Sequence, residues 1–112
     1  MTVGAQLSVT DLRRAARHPV DYSVIAEHRV RGDVTLHVVN LSAQGFMIDM
    51  APDLTKGDRL VIRLPRIGRI EAHCIWTRDE RAGFQFERIL RLDDFMAMIN
   101  ELQPNPKLRR PR

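Results

Sequence analysis

Six short segments of alternating apolar and polar residues constrain the fold of this chain more than any other feature. The segments are residues 22–29, 34–39, 46–50, 59–64, 69–77 and 82–87. A period of two residues places successive side chains on opposite faces of a β-strand. Short strands separated by regular turn signals predict an all-β fold, and closure into a barrel removes exposed strand edges. We therefore predict a small, closed, six-stranded antiparallel β-barrel.

Near the C-terminus the hydrophobic period changes to that of an α-helix. The apolar residues that fall on one helical face are Leu92, Phe95, Ile99 and Leu102. Asp93 and Asp94 lie in the first turn, where the helix dipole favours negative charge. Pro104 and Pro106 follow and end the helix. We expect this C-terminal α-helix to cover an open end of the barrel or to pack against its side.

The net charge of +4 comes from a short basic tail and not from the body of the chain. Of 18 basic and 14 acidic residues, four basic ones and no acidic one lie in residues 107–112, which leaves 14 − 14 = 0 elsewhere. Non-specific nucleic-acid binding needs many phosphate contacts on a basic surface, which a neutral body does not offer. We do not expect specific nucleic-acid binding either. The 112 residues suffice for one domain. We assign residues 1–10 to a flexible segment, 11–103 to the domain and 104–112 to a disordered basic tail.

Several classes of protein lack support in the sequence. No apolar run of membrane-spanning length and no signal-peptide pattern occurs, and the single cysteine, Cys74, cannot form an internal disulfide. We therefore expect a cytoplasmic protein with no membrane span. His73 and Cys74 are adjacent on a predicted strand and point to opposite faces, so we expect no metal site there. No nucleophile motif is recognisable, and we predict no enzymatic activity and no cofactor.

Two short motifs could bind a ligand. Arg13 and Arg17 are spaced by four residues, which places both guanidinium groups on one side of a helical turn. Such forks bind phosphate or the O6 and N7 edge of guanine, although a solvated basic turn is the alternative interpretation. Asn40, Ser42 and Gly45 join two predicted strands and offer amide and hydroxyl partners for a base. Gly45 would let a ligand approach the backbone, but these residues also suit an ordinary turn with a positive φ at the glycine.

Together, the Arg-x-x-x-Arg motif and the later Asn-x-Ser-x-x-Gly motif resemble the signature of the PilZ domain family. The resemblance continues through residues 57–65, 71–76 and 82–86 and spans most of the chain, from Arg13 to Leu102. It is closest to the short single-domain PilZ proteins of alphaproteobacteria. PilZ domains are six-stranded antiparallel barrels with a C-terminal helix, which agrees with the interpretation of the hydrophobic pattern.

The resemblance implies binding of the bacterial second messenger cyclic di-GMP, in many members as a stacked dimer. By motif position, Arg13 and Arg17 would contact guanine and phosphate, with Arg14 as an auxiliary contact. Asn40 and Ser42 would hydrogen-bond a guanine, and Gly45 would permit the close turn. Ligand binding would order the N-terminal segment, which would then signal to a protein partner.

Trp76 admits two interpretations. Strand alternation places it with Ile70, Ala72 and Cys74, which favours packing in the core. At the end of a strand, its indole could instead form an apolar floor beneath a purine of the ligand.

Two other functions stay open at this point. The first is a PilZ-like adaptor that binds a protein and no nucleotide. The second is a small barrel that binds single-stranded nucleic acid, which usually displays exposed aromatic platforms. Both motifs of the family are present, and most of the aromatic residues are predicted to point inward. We therefore prefer the cyclic di-GMP receptor.

Overall fold

The computed structural model of the protein describes residues 15–50 and 53–102. Six antiparallel strands form a closed barrel in the order β1-β2-β3-β6-β5-β4, and one helix follows them, which confirms the predicted fold class. The elements are β1 (His18–His28), β2 (Gly32–Leu41), β3 (Gly45–Asp49), β4 (Arg59–Leu64), β5 (Gly68–Arg78), β6 (Arg81–Phe86) and α1 (Leu92–Leu102).

The interior of the barrel is filled by the apolar residues of the predicted inward faces. Phe46 on β3 and Phe84 on β6 stack with their ring centroids 4.9 Å apart, and Phe86 packs against Phe46 at 5.5 Å. Cys74 is buried, as predicted for a small core residue, and the adjacent His73 lies on the opposite, partly exposed face. The inward orientation predicted for Phe84 and Phe86 is therefore confirmed.

Helix α1 covers one end of the barrel. Phe95, Met98 and Ile99 on its inner face are buried in the same core as the strand residues. The segment that leads into the helix is held by Leu90, whose N–H donates to the carbonyl of Ala43 in the β2–β3 loop at 2.8 Å. The ring of Phe95 contacts His18 at the start of β1, edge to face, with centroids 5.5 Å apart. The predicted helix and its apolar face are thus confirmed, with Met98 added.

Two β-bulges change which face some strand residues occupy. On β2, Val38 pairs with Ile48 and Asn40 with Met47, so Val39 is an extra residue. On β5, Cys74 pairs with Phe84 but Trp76 pairs with Gly83, which makes Ile75 the extra residue. A bulge of one residue moves the next side chains to the other face of the sheet.

The bulge at Ile75 corrects one expectation from the sequence. Trp76 does not share the inward face of Ile70, Ala72 and Cys74, because it lies after the extra residue. It is partly exposed on the outer face of the barrel, whereas those three residues are buried. Simple alternation along the strand therefore gives the wrong face for Trp76. The favoured prediction, that Trp76 packs in the core, is wrong.

The first strand also differs from its prediction. β1 begins at His18, four residues before the predicted start at Tyr22. Pro19 is accommodated because it lies near the beginning of the strand, just before an irregularity in the β1–β2 pairing. The predicted helical turn over residues 10–17 lies largely outside the described residues, as do the segment 1–10 and the tail 104–112.

Candidate functional site

A row of four residues crosses the outer face of the barrel. The β-sheet register places Asn40 on β2 opposite Met47 on β3, Met47 opposite Gly83 on β6, and Gly83 opposite Trp76 on β5. Directly opposed residues in antiparallel strands point to the same face. The row exists because both bulges precede it, one at Val39 and one at Ile75. It brings the predicted Asn40 and Trp76 onto one surface.

The middle of this row forms a depression in the outer surface of the barrel, because Gly83 has no side chain. A Cβ atom built at Gly83 would lie 2.0 Å from Nε1 of Trp76 and 2.5 Å from its Cε2. The indole of Trp76 therefore lies over the glycine backbone and not over the barrel interior. The result is an aromatic surface that is held in place and open to solvent on the outer face of the barrel.

The two sequence motifs meet at one end of the row. Nη1 of Arg17 donates a hydrogen bond to Oδ1 of Asn40 at 2.9 Å, across 23 residues of sequence. The amide of Asn40 faces the sulfur of Met47, with Nδ2 3.8 Å from Sδ. Arg17 directly precedes β1, and its side chain reaches the surface on which the row lies. The structure therefore brings one residue of each motif into contact.

A groove runs along the row, and we call it the outer groove. One part, of about 360 Å³, is lined by Arg17, Pro19, Val39, Asn40, Met47, Asp49 and Arg81. The other part, of about 600 Å³, is lined by Met47, Trp76, Arg78, Asp79 and Arg81. Met47 and Arg81 line both parts, so the two parts adjoin. Cavities of several hundred Å³ are of the size that small ligands occupy.

Ser42 and Gly45 build the turn beneath this surface. Oγ of Ser42 accepts hydrogen bonds from the backbone N–H groups of Gln44 and Gly45, both at 3.2 Å. The backbone N–H of Ser42 donates to the carbonyl of Gly45 at 2.8 Å. Ser42 is only 3% exposed, and the hydrogen bonds of its hydroxyl stabilise the turn from within.

Gly45 is required by the barrel itself. A Cβ atom there would lie 1.9 Å from the carbonyl oxygen of Phe84, because the backbones of β3 and β6 approach closely. The glycines with positive φ among the described residues are Gly32, Gly57 and Gly68, so the positive φ considered for Gly45 is wrong. The reason for the glycine is close approach to a neighbouring strand.

A histidine lies between two carboxylates, one of which, Asp49, lines the groove. Nδ1 of His37 lies 2.6 Å from Oδ1 of Asp49, and its Nε2 lies 2.7 Å from Oδ1 of Asp21. These hydrogen bonds, first to Asp21 and then to Asp49, raise the pKa of His37 above its ordinary value. Since Asp49 lines the groove, a protonated His37 offsets a negative charge that would otherwise repel an anionic ligand.

This arrangement predicts a pH-dependent stability. A histidine whose pKa is higher in the folded state stabilises the fold fully below its unfolded pKa, and the stabilisation is lost as the pH rises through the folded pKa. The free energy of unfolding of the wild type should therefore exceed that of His37→Gln near pH 5.5, and this difference should shrink towards about pH 9. Urea denaturation at both pH values measures it, with His73→Gln as the control. A difference that is constant with pH would contradict the assignment.

The structural description does not cover every predicted site residue, and the sequence did not predict every residue that lines the groove. Arg13 and Arg14 lie outside the described residues. Met47 and Arg81 line the groove but were not predicted as site residues. Strand register would have identified both, because they share a face with Gly83, but the pairing of β3 with β6 cannot be read from the residue pattern of either strand alone.

Other candidate chemistry receives little support within residues 15–50 and 53–102. Burial raises the pKa of the Cys74 thiol, which disfavours the reactive thiolate. In that part of the chain, no group of three or more His, Cys, Asp or Glu side chains is placed to hold a metal ion. Nor does any helix described there have the length and apolar character needed to cross a bilayer.

The fold defines a small antiparallel barrel domain with a C-terminal helix over one end. The family model of the PilZ domain matches residues 11–102, and the chain belongs to the PilZ domain family. PilZ domains are in general receptors for cyclic di-GMP. The matched range includes both sequence motifs, from the arginine pair to the glycine of the turn.

Two solved structures resemble the chain. The crystal structure of the PilZ domain of CeSA from a cellulose-synthesizing bacterium has a TM-score of 0.55 and 22% identity, over 79% of this chain and 95% of that chain. The Bacillus subtilis inhibitor of motility, MotI/DgrA, has a TM-score of 0.47 and 21% identity, over 85% of this chain and 51% of that chain. The first similarity supports the fold. No curated protein matches the chain.

Proposed function

We propose that this protein is a receptor for cyclic di-GMP that binds the nucleotide in the outer groove. The observation that carries the proposal is the hydrogen bond between Arg17 and Asn40, which joins the two motifs at one open surface. Membership of the PilZ family supplies the identity of the ligand. The groove supplies cationic forks, an amide and an aromatic face, which match the phosphates, base edges and purine rings of a cyclic dinucleotide.

Arg17 is well placed to exchange its partner for a phosphate. Its partner within the described residues is the neutral amide oxygen of Asn40, and no carboxylate lies within 4 Å of it there. A charge-assisted, bidentate bond to phosphate is stronger than a bond to a neutral amide. Binding would therefore release Asn40, whose amide could then pair with a guanine edge. Arg13 and Arg14, which precede it by a few residues, would add further contacts.

Ser42 and Gly45 support the site chiefly through the turn that positions Asn40. The hydroxyl of Ser42 fixes the loop after β2, and Gly45 lets β3 approach β6. Trp76 would form the floor for a purine at the other part of the groove. Base–aromatic stacking contributes about 1 to 3 kcal/mol per base, so this contact would add substantially to affinity.

The proposed output is a change in the N-terminal segment. Arg17 precedes β1 directly and contacts the groove, so a ligand held there would also hold the residues before it. Neutralising the arginines with a polyanion would allow this segment to fold across the barrel and create a surface for a protein partner. The protein would thus act as a receptor and effector and not as an enzyme.

Titration calorimetry with cyclic di-GMP tests this function. We expect a dissociation constant in the micromolar range or below, and a loss of about 10- to 100-fold for Arg17→Ala, the value of a hydrogen bond to a charged group. Arg63→Ala is the matched control, because Arg63 is exposed on β4 and does not line the outer groove. Amide exchange of residues 5–18 should slow when ligand is added.

The outcomes separate the candidate functions. No heat at high ligand concentration would contradict the receptor and favour the adaptor that binds protein alone. Binding without a change in exchange would contradict the proposed ordering of the N-terminal segment but not the receptor. Equal losses for Arg17→Ala and Arg63→Ala would mean that the ligand responds to overall charge and not to this site.

A further inference from the structure

Two arginines face each other across the β5–β6 hairpin, at the far part of the outer groove. Arg78 pairs with Arg81 in the strand register, two residues beyond the pair of Trp76 and Gly83. A separation of two residues on each strand keeps all four on one face. Both arginines line the part of the groove that contains Trp76, and Arg81 also lines the part that contains Arg17.

This pair is unfavourable for the free protein. Like charges directly opposite one another in a sheet are destabilising. Within residues 15–50 and 53–102, neither guanidinium has a hydrogen-bond or ion-pair partner to offset the repulsion, although the carboxylate of Asp79 also lines this part of the groove. The pair therefore places two guanidinium groups, neither with an ion-pair partner among the described residues, beside Trp76.

The turn that joins the two arginines is itself strained. Asp79 and Glu80 have φ values of 51° and 66°, so two non-glycine residues occupy the left-handed region. A two-residue hairpin loop of this kind favours asparagine, aspartate or glycine first and glycine second, so Asp79 suits its position and Glu80 carries the steric cost. Backbone strain and like charges at the edge of a groove make this hairpin a candidate for a functional role.

We propose that Arg78 and Arg81 form a second anion grip that binds the distal phosphate of the ligand. This inference rests on the proposed function and deepens it. Cyclic di-GMP carries two phosphates on one ring. Because Arg81 lines both parts of the groove, a ligand held by Arg17 through one phosphate and by Trp76 through a purine would bring its second phosphate towards the β5–β6 hairpin. Binding it neutralises the two facing guanidinium groups, which relieves their repulsion.

Glutamine variants test the grip because glutamine removes the charge and keeps most of the side-chain length. Titration calorimetry with cyclic di-GMP should show losses of affinity of about tenfold or more for Arg81→Gln and for Arg78→Gln. Arg63→Gln should bind like the wild type. The melting temperature of ligand-free Arg81→Gln should rise by about 1 to 4 °C, because a like-charge pair has been removed.

A loss of affinity together with a rise in melting temperature distinguishes a ligand-binding arginine from one that stabilises the fold. If Arg81→Gln loses affinity and also melts at a lower temperature, the arginine holds the fold and the second grip is wrong. If Arg78→Gln and Arg81→Gln bind like the wild type while Arg17→Ala does not, the receptor stands and the second grip falls. If the wild type binds no cyclic di-GMP, both the receptor and the grip are rejected.

Discussion

Replacing Gly45 with alanine should destabilise the barrel by at least about 3 kcal/mol, a large part of the stability of a domain of this size. The new Cβ atom would lie 1.9 Å from the carbonyl oxygen of Phe84 and 3.0 Å from its carbonyl carbon. Both atoms are backbone in β6, so β3 and β6 would have to separate. Their pairing over Gly45, Phe46, Met47 and Ile48 closes this part of the barrel. Thermal denaturation should show a melting temperature lower by roughly 10 to 20 °C.

Gly32→Ala is the control for the intrinsic cost of losing a glycine. Gly32 has a φ of 77° and no atom within 4 Å of its ideal Cβ position, so alanine there meets backbone strain alone. That strain costs about 1 to 2 kcal/mol. If Gly45→Ala were as stable as the wild type, or less damaging than Gly32→Ala, the close approach of β3 and β6 would be wrong.

Gly83→Ala should have a different effect, with a modest change in stability and a large change at the site. Its Cβ would lie 2.0 Å from the indole nitrogen of Trp76, which belongs to a side chain that can rotate away. The barrel should keep its fold while the aromatic floor is displaced. Trp76 is the only tryptophan, so its fluorescence emission should shift to longer wavelength. The affinity for cyclic di-GMP should fall about tenfold or more, the value of one stacked base.

A double-mutant cycle decides whether Gly83 acts through Trp76. Trp76→Ala should lose a similar amount of affinity, and the double variant should lose little more than either single variant. Additive losses would mean that Gly83 contacts the ligand independently. Unchanged emission and unchanged affinity in Gly83→Ala would contradict the placement of the indole over the glycine.

The period of the hydrophobic pattern was sufficient to predict the architecture. Alternation identified all six strands and the change of period identified the helix, because burial imposes a period of two on strands and 3.6 on helices. The first strand was predicted to begin four residues too late, at Tyr22, because residues 10–17 were assigned to a helical turn before it. Its residue Pro19 in fact lies opposite Asn40 at the start of β1.

The candidate site was only partly predictable. The side chains of Arg17 and Asn40 were identified from motifs, and their contact required only that the motifs adjoin in the barrel. Trp76 was placed on the wrong face because one extra residue, Ile75, reverses the alternation, and nothing in its side chain marks it as a bulge. Arg81 was missed for a related reason, since its position in the groove depends on pairing between distant segments.

The two bulges also separate what the barrel must conserve from what it can change. Before each extra residue, the inward positions fill the core, and their volumes are tightly constrained. After each extra residue, Asn40 and Trp76 stand outside that core and border only the groove. Substitutions at these two positions can therefore change the shape and chemistry of the groove while the interior is left intact. A single inserted residue in each strand gives the barrel an outer surface that can evolve independently of its packing.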